Sequence, residues 1–280
     1  MALFRALETL RSKGERLFDD PFARDFLAPS LRLALWIGGQ TSVRVLCALI
    51  EKRWPGALTS GIARTRLIDD IASTAIIEGT RQIVLLGAGF DARPYRLSGI
   101  NKVVVYEVDH PLTSARKQRV MRRTLGGIPM NVHFVPVDLN RDNLEAALEE
   151  AGYDFSIQTL FIWEGVTNYL APCAVDATFR CYSNAVRNSQ IVFTYIDEKV
   201  LTDPGAFYGV KSVGRALSKA NERWTFGIDP QTIGRYSQER GFVLEIDRSA
   251  GQYRQTYYGK ESDKMKGYEF YQVAVARVRD

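Results

Sequence analysis

Two apolar runs in the middle of the chain end in residues that could bind a nucleoside. The first, residues 82–86, is rich in β-branched side chains and leads directly into Gly87-Ala88-Gly89. Glycine lacks a Cβ, so it permits a tight turn and lets a ligand approach the backbone. The second run, residues 102–108, ends on Asp109. Strand, glycine turn, crossover and acid-tipped strand together predict a nucleoside-binding βαβ unit.

The glycine turn lacks the third glycine of the dinucleotide fingerprint. Ala92 and Arg93 occupy that region instead, which counts against NAD and favours a single nucleoside without a pyrophosphate. An NAD-dependent oxidoreductase would also need a catalytic Tyr/Lys or Cys/His pair, and the sequence offers no convincing one.

Two further apolar runs end on acids. Residues 132–137 are followed by Asp138 and Leu139, and residues 159–163 are followed by Glu164. Parallel strands all end on the ligand side of such a sheet. Asp138 could instead cap the helix predicted to begin around Leu144.

A buried Glu164 requires a partner, because an unpaired carboxylate in an apolar setting costs several kcal/mol. That partner is either Arg64 or a cationic ligand. Arg64 belongs to the helix that opens at Gly61 and could point towards the glycine turn, where a ligand carboxylate would sit. Arg66, two residues on, does not share its face.

The elements that position these residues form one α/β pattern, which we divide within a single domain, residues 1–280. Residues 1–60 are predicted to be an amphipathic helical layer, and residues 61–197 carry five strands alternating with helices. Residues 198–228 interrupt the alternation with short glycine-punctuated helices, either a functional lid or a bulky surface insertion. Residues 229–280 are predicted to hold a helix, from Asp229-Pro230 to Arg240, and two antiparallel strands joined as a hairpin-like pair.

Composition bounds the class of protein. The chain has 280 residues, 46% of them hydrophobic, and a formal net charge of +5. Basic residues are spread along the chain among acids, and the densest basic run, residues 116–123, favours a solvated helix face over a nucleic-acid site. No apolar run approaches the roughly 18 residues of a membrane span, and the three cysteines lack metal spacing. We therefore expect a cytoplasmic protein without metal, nucleic-acid or membrane partners.

Five βα units followed by an antiparallel pair resemble the seven-stranded, Rossmann-like fold of class I S-adenosylmethionine-dependent methyltransferases. The motifs are similar to those of the leucine carboxyl methyltransferase family, including its large bacterial branch. They are Arg64-Thr65 with Asp69-Asp70, residues 86–93 with Arg96-Leu97, residues 107–111, residues 137–139, and Glu164-Gly165 with Tyr169-Leu170.

The resemblance implies S-adenosylmethionine as cofactor and a role for each motif residue. Arg64 would pair with the methionine carboxylate, while Gly87, Ala88 and Gly89 would face the methionyl and ribose portion. Asp109 would accept hydrogen bonds from the ribose hydroxyls, and Asp138 and Leu139 would flank the adenine. Glu164 would lie near the methionyl ammonium or the Arg64 guanidinium. Acids accepting from hydroxyls and a guanidinium forking onto a carboxylate suit these residue types.

The methyl acceptor is not defined by the resemblance. The chain has two histidines, both with plausible structural roles, and we find no convincing general base. A carboxylate is already ionised at neutral pH and needs none, so we expect an O-methyltransferase that esterifies a carboxylate of a small molecule. A phenol or hydroxyl O-methyltransferase of natural-product assembly, or a non-catalytic nucleoside-binding regulator, are the alternatives. The candidate acceptor contacts are Tyr195, Tyr208, Lys211, Arg215 and Trp224.

Overall fold

Seven strands form one sheet. The computed structural model describes residues 1–219 and 221–279. The strands are β1 (Gln82–Leu86), β2 (Val104–Asp109), β3 (Val132–Pro136), β4 (Thr159–Trp163), β5 (Gln190–Ile196), β6 (Phe242–Ser249) and β7 (Tyr271–Val278). Their order is β3-β2-β1-β4-β5-β7-β6, with β1 to β5 parallel and β7 antiparallel to both neighbours. The predicted seven-stranded α/β fold is confirmed.

The two central strands explain where the site lies. Every residue of β1 and β4 is buried, as expected for parallel strands covered by helices on both faces. From β1 the chain continues to β2 on one side of the sheet, and β4 later returns to the other side. The carboxyl ends of such neighbours flank a crevice that binds ligands in open α/β sheets.

Helices cover the two faces of the sheet. They are α1 (Ala2–Thr9), α2 (Pro29–Arg53), α3 (Ala57–Ile77), α4 (Arg93–Arg96), α5 (Pro111–Leu125), α6 (Leu144–Glu150), α7 (Pro172–Ser183), α8 (Lys199–Thr202), α9 (Val210–Lys219), α10 (Ile233–Gln238) and α11 (Ala250–Tyr258). On one face Ile68 of α3 and Tyr253 of α11 pack against Leu85. On the other, Phe179 and Tyr182 of α7 pack with Phe161.

The predicted N-terminal helical layer consists of α1, α2 and the start of α3. Leu7 of α1 packs with Leu35, Val43 and Ile50 of α2. Because Gly39 adopts φ +47° and ψ −133°, α2 is kinked there. Within residues 1–219 and 221–279, α2 is also the one helix whose length (25 residues) and hydropathy (1.5) suit a membrane span. This helix qualifies the expectation of no membrane partner that was drawn from uninterrupted apolar runs.

The C-terminal connection differs from the expected hairpin-like link. Between β6 and β7 the chain forms α11 and a 3-10 turn, Gly259–Lys264. Ser249 accepts from the backbone of Gln252, whose side chain accepts from the backbone of Ser249. A capping box of this kind can be recognised in a sequence, so the start of α11 after Ser249 was predictable.

The predicted start of α6 at Leu144 is confirmed, but its cap and one other helix start need correction. Asn143, not Asp138, caps α6, its side chain accepting from the Ala146 N–H. The helix predicted from Asp229-Pro230 begins only at Ile233, because Asp229 first forms a turn by accepting from the Gln231 N–H at 2.9 Å.

Residues 198–228 contain α8 and α9, joined and followed by irregular segments. Val200 and Val210 pack with Ile196 and Phe270 at the end of the sheet. Near its C-terminal end the segment is hydrogen-bonded to the loop that follows β4, because the Thr225 N–H donates to the Asn168 carbonyl at 2.8 Å. The segment thus lies over the same edge of the sheet as the glycine turn.

Candidate functional site

A cavity of about 370 Å³ opens at the carboxyl ends of β1 and β4. This volume is in the range of small-molecule sites, about 300–1,000 Å³. Its lining includes the glycine turn, Arg64 of α3, Glu164 after β4, and the tyrosines Tyr169, Tyr253, Tyr268 and Tyr271. The structure therefore brings together residues from four distant stretches of sequence.

The glycine turn curls back over β2. Gly87 and Gly89 adopt φ +62° and +46°, a region that side chains disfavour. A methyl group added at Gly87 would overlap Cγ2 of Val166. The Gly89 N–H donates to Oδ2 of Asp109, so the predicted ribose partner lies directly against the turn.

Asp109 holds two backbone groups. Its Oδ1 accepts from the His110 N–H at 2.6 Å, in addition to the bond from Gly89. Burial raises the pKa of Asp109, and the two N–H donors act in the opposite direction. Each carboxylate oxygen has a second lone-pair site, so the side chain retains the capacity to accept from a ligand.

The neighbouring acid on β2 is committed elsewhere. Glu107 and Lys117 of α5 are both 1% exposed, and their charged atoms lie 2.8 Å apart. Burial is the main reason that the pKa of Glu107 is raised, while Lys117 acts to lower it. Glu107 is therefore a structural ion-pair partner beneath the site.

Asp138 and Leu139 lie at the same sheet edge but outside the 370 Å³ cavity. Asp109 and Pro136 are paired across β2 and β3, so the tips of these strands are adjacent. Oδ1 of Asp138 accepts from the Asn140 N–H at 3.0 Å, and Leu139 packs on the core. Their predicted place beside the adenine remains a prediction.

Glu164 joins two arginines. Its Oε1 accepts from Nε of Arg64 and its Oε2 from Nη1 of Arg93, both at 2.9 Å. Burial by itself would raise the pKa of Glu164, but the charges of Arg93 and Arg64 hold it below its usual value. Of the two partners left open by the sequence, the protein itself supplies Arg64.

Arg93 is the residue that sequence reasoning missed. It is 2% exposed and also contacts Asp69 at 2.7 Å and Asp91 at 2.5 Å. Its motif, residues 89–93, lacks the third glycine of the dinucleotide fingerprint, and nothing in the spacing indicates that the guanidinium turns inward. This arginine ties α3, the glycine turn and the tip of β4 together.

Arg64 retains free donors. Its Nε binds Glu164, whereas its two terminal nitrogens form no hydrogen bond to any residue that the structure describes. The guanidinium lies 5.2 Å from the centre of the Tyr271 ring. Arg66 points elsewhere and pairs with Asp70 at 2.8 Å, in agreement with the expectation that the two arginines do not share a face.

The sequence of this chain is similar to those of known proteins. The leucine carboxyl methyltransferase family matches residues 1–183. The chain belongs to this family. A Mycolicibacterium gilvum protein named "Putative S-adenosyl-L-methionine-dependent methyltransferase" is 38% identical over 200 residues, 70% of this chain and 61% of that protein. A Mycobacterium marinum protein of the same name is 33% identical over 255 residues, 88% of this chain and 78% of that protein.

The alignment with the Mycolicibacterium gilvum relative thus spans about three fifths of that protein's length. Among solved structures, one titled as a putative methyltransferase from Thermobifida fusca YX superposes with a TM-score of 0.62. It is 20% identical and covers 88% of this chain and 92% of that one. Similarity at this level supports the fold.

Tyr195, one of the candidate acceptor contacts, is placed away from the cavity. Its side chain is fully buried on the α7 face of the sheet with Phe193 and Phe179. Its hydroxyl donates to both carboxylate oxygens of Asp247 at 3.0 Å. Successive side chains of a strand point to opposite faces of the sheet. Tyr195 therefore faces the same side as Phe193, the side covered by α7, and not the cavity.

The other four candidates belong to residues 198–228 but do not line the first cavity. Lys211, Arg215 and Trp224 line a second cavity of about 790 Å³. Tyr208 is 45% exposed, with the Lys266 ammonium 5.0 Å from its ring centre. Tyr208 lines neither cavity.

Proposed function

We propose that this chain is an S-adenosylmethionine-dependent O-methyltransferase that converts a carboxylate of a small molecule into its methyl ester. The observation that carries the proposal is the Arg64–Glu164 pair, which stands beside the glycine turn at the carboxyl ends of the strands. Membership of the leucine carboxyl methyltransferase family supports it. So do the names of the Mycolicibacterium and Mycobacterium relatives.

The residues present fit such a cofactor. The free terminal nitrogens of Arg64 could fork onto the methionine carboxylate, and Glu164 could accept from the ammonium. Asp109 would accept from the ribose, and Asp138 with Leu139 would flank the adenine. The tyrosine rings of the cavity suit a sulfonium, because a ligand cation is attracted to the face of an aromatic ring.

In this proposal the bound cofactor supplies a methyl group on a positively charged sulfur. The chain positions the reactants and excludes water from them. The Arg64–Glu164–Arg93 chain fixes one end of the cavity, and the glycine turn brings backbone close to the ligand without a Cβ in the way. Residues 61–197 would hold the cofactor, while residues 1–60 and 198–228 would enclose the acceptor.

The carboxylates Asp91 and Glu164 and the phenols Tyr253 and Tyr271 of the cavity favour an acceptor that arrives ionised. Burial would raise the pKa of Asp91, but Arg93 holds it far below its usual value, and the pKa of Glu164 is lowered as well. Both are poor bases. Burial raises the pKa values of Tyr253 and Tyr271, which keeps these phenols protonated at neutral pH.

No histidine lines this cavity among the described residues. His110 accepts from the Leu112 N–H at the start of α5, and His133 stacks on Tyr106 with ring centres 5.4 Å apart. A phenol or alcohol acceptor would need a base, whereas a carboxylate would not. The proposal therefore keeps the carboxylate.

Two measurements test the proposal. Calorimetry with S-adenosylmethionine, S-adenosylhomocysteine and NAD should give binding of the first two and none of NAD. Tight NAD binding without a response to S-adenosylmethionine would overturn it. An acceptor screen with methyl-labelled cofactor should then yield base-labile methyl esters; base-stable methyl ethers would identify a hydroxyl acceptor instead.

A further inference from the structure

We infer that the methyl acceptor is an amphiphilic anion with a second anionic group, remote from the methylated atom, which the 790 Å³ cavity beside α8 and α9 binds. This inference rests on the proposed function. We call this cavity the basic cavity; it lies between α8, α9 and the segment that follows α9.

The basic cavity is rich in cations that lack an acidic partner among the described residues. Its lining includes five cationic side chains and one acid, Glu222; the cations are Arg53, Lys211, Arg215, Lys219 and Arg223. None of the five forms an ion pair with a carboxylate within the described residues 1–219 and 221–279. Elsewhere in the molecule, arginines of the ligand side are neutralised, as Arg93 is by three acids. An anion entering here would therefore meet uncompensated positive charge.

Concavity distinguishes this cluster from an ordinary solvated helix face. Like charges on a flat surface are screened by salt within about 10 Å. In a cleft with apolar walls the field is focused and raises the local concentration of an oppositely charged ligand. The walls here are apolar, since Leu201, Val210, Leu217 and Trp224 line the same cavity. The complementary ligand has an apolar body and an anionic group.

The basic cavity and the first cavity share an aromatic wall. The ring centre of Trp224 lies 5.9 Å from that of Tyr271, and Tyr271 lines the first cavity beneath Arg64. Val210 packs in the same cluster as Tyr268, another residue of the first cavity. A ligand anchored at α9 could thus present its other end towards the proposed cofactor.

Methyl transfer explains why the cations stand away from the reacting end. A carboxylate loses its negative charge as it becomes an ester, so an ion pair with it would be stronger before reaction than in the transition state and would slow the step. Cations that hold a second anionic group keep their contacts throughout. Binding energy from this remote group can then orient the acceptor.

The test uses three probes that share an eight-carbon chain and differ in charge: octyl phosphate, octanoate and octyltrimethylammonium. Titrated calorimetrically into the full chain, octyl phosphate should bind about tenfold more tightly than octanoate, because it carries the greater charge. Octyltrimethylammonium should not bind. Equal affinity for the cationic probe, or no binding of octyl phosphate, would overturn the inference.

A double variant locates the binding. Lys211→Ala with Arg215→Ala should weaken octyl phosphate by about thirtyfold. The matched control is Arg235→Ala with Lys264→Ala, which removes two exposed cations paired with Glu239 and Glu261 outside both cavities. The control should retain the affinity of the wild type. Equal losses in the two double variants would mean that only net charge matters, and would overturn the site.

Binding of S-adenosylhomocysteine, measured on the same preparations, checks folding and separates the two proposals. It should be unchanged in both double variants. If the wild-type chain binds S-adenosylhomocysteine but not octyl phosphate, the proposed function stands and the anion site is overturned. A chain that binds octyl phosphate but not S-adenosylhomocysteine overturns the proposed function while supporting an anion site at α9.

Discussion

Arg93 and Glu164 are 71 positions apart in the chain, and their charged atoms lie 2.9 Å apart at the carboxyl ends of the sheet. Arg93 belongs to the segment after β1 and Glu164 follows β4. Their contact therefore joins the segments that follow these two neighbouring strands. Arg64 joins the same carboxylate from α3, so one glutamate positions both arginines.

Removing Arg93 should destabilise the fold. Arg93→Met leaves Asp69, Asp91 and Glu164 with buried charge that has lost a partner, for which a cost of about 3–5 kcal/mol is typical. Urea unfolding of wild type and variant measures it. Arg235→Met, at an exposed pair, should cost less than about 1 kcal/mol. Equal stability of Arg93→Met and wild type would contradict the central role of this guanidinium.

Replacing Arg64 should act mainly on cofactor affinity. Arg64→Met removes the terminal nitrogens that are free to bind a carboxylate, and S-adenosylhomocysteine should bind more weakly by about 1.5–3 kcal/mol. Arg66→Met is the matched control, because that arginine lies on the same helix and pairs with Asp70. Calorimetry on both variants tests the difference. If the control lost as much affinity as Arg64→Met, the loss would come from the helix and not from the site.

Gly87 should not tolerate a side chain. Gly87→Ala combines a strained φ of +62° with an overlap on Val166, so cofactor binding should fall and stability should drop by more than about 1 kcal/mol. Gly126→Ala, with φ +77° but open space, should show the backbone cost alone. Adding Val166→Ala to Gly87→Ala should restore part of the loss. A double variant no better than Gly87→Ala would show that the overlap is not the cause.

Asp109 should be sensitive even to asparagine. Both carboxylate oxygens accept a backbone N–H, and an asparagine offers one acceptor oxygen in their place. Asp109→Asn and Asp109→Ala should each weaken S-adenosylhomocysteine binding by about 1–3 kcal/mol. Isothermal titration of the two variants is the measurement. Unaltered affinity would show that another residue binds the ribose. Glu107, the neighbouring acid of β2, is not available for this role because it pairs with Lys117.

The Asp247–Tyr195 pair should give the stability a distinct pH dependence. Burial raises the pKa of Asp247 from 3.8 to about 6, with the Tyr195 hydroxyl acting to lower it. Between these two pH values the folded protein binds a proton that the unfolded chain has released. The contribution of Asp247 to the free energy of unfolding therefore falls as pH rises from about 4 to about 6.

Asp247→Asn isolates this contribution. The free energy of unfolding of wild type minus that of Asp247→Asn should decrease over that interval and level off above it. Tyr195→Phe removes the donor that favours the charged form, so its decrease should extend to higher pH. Denaturant unfolding across the pH range measures both. A difference that stays constant with pH would exclude a raised pKa.

The sequence by itself predicted the parallel strands of the sheet and the residues that follow their carboxyl ends. Apolar runs with β-branched residues mark buried parallel strands, so β1 to β5 and the residues at their ends could be read in order. Glycine permits the positive φ that Gly87 and Gly89 adopt. The contact between Arg64 and Glu164 was one of two alternatives, because burying a lone carboxylate demands a cation.

Local sequence signals, namely amphipathic patterns and helix caps, predicted some helices correctly. Two such signals were overlooked. The amphipathic pattern of residues 1–60 predicted a helical layer, and α1, α2 and the start of α3 form it. The capping box of Ser249 and Gln252 was present, yet the expectation of a hairpin-like link obscured α11. Asn143 was available as an N-cap one residue before Leu144.

Only the tertiary structure decided which side chains share a cavity. Arg93 turns inward because three acids from separate elements converge on it, a condition that no local pattern encodes. Tyr195 faces the opposite side of the sheet, and Lys211, Arg215 and Trp224 line a cavity of their own. A period of two or 3.6 residues fixes the face of one element, but contacts between elements depend on how those faces pack against each other.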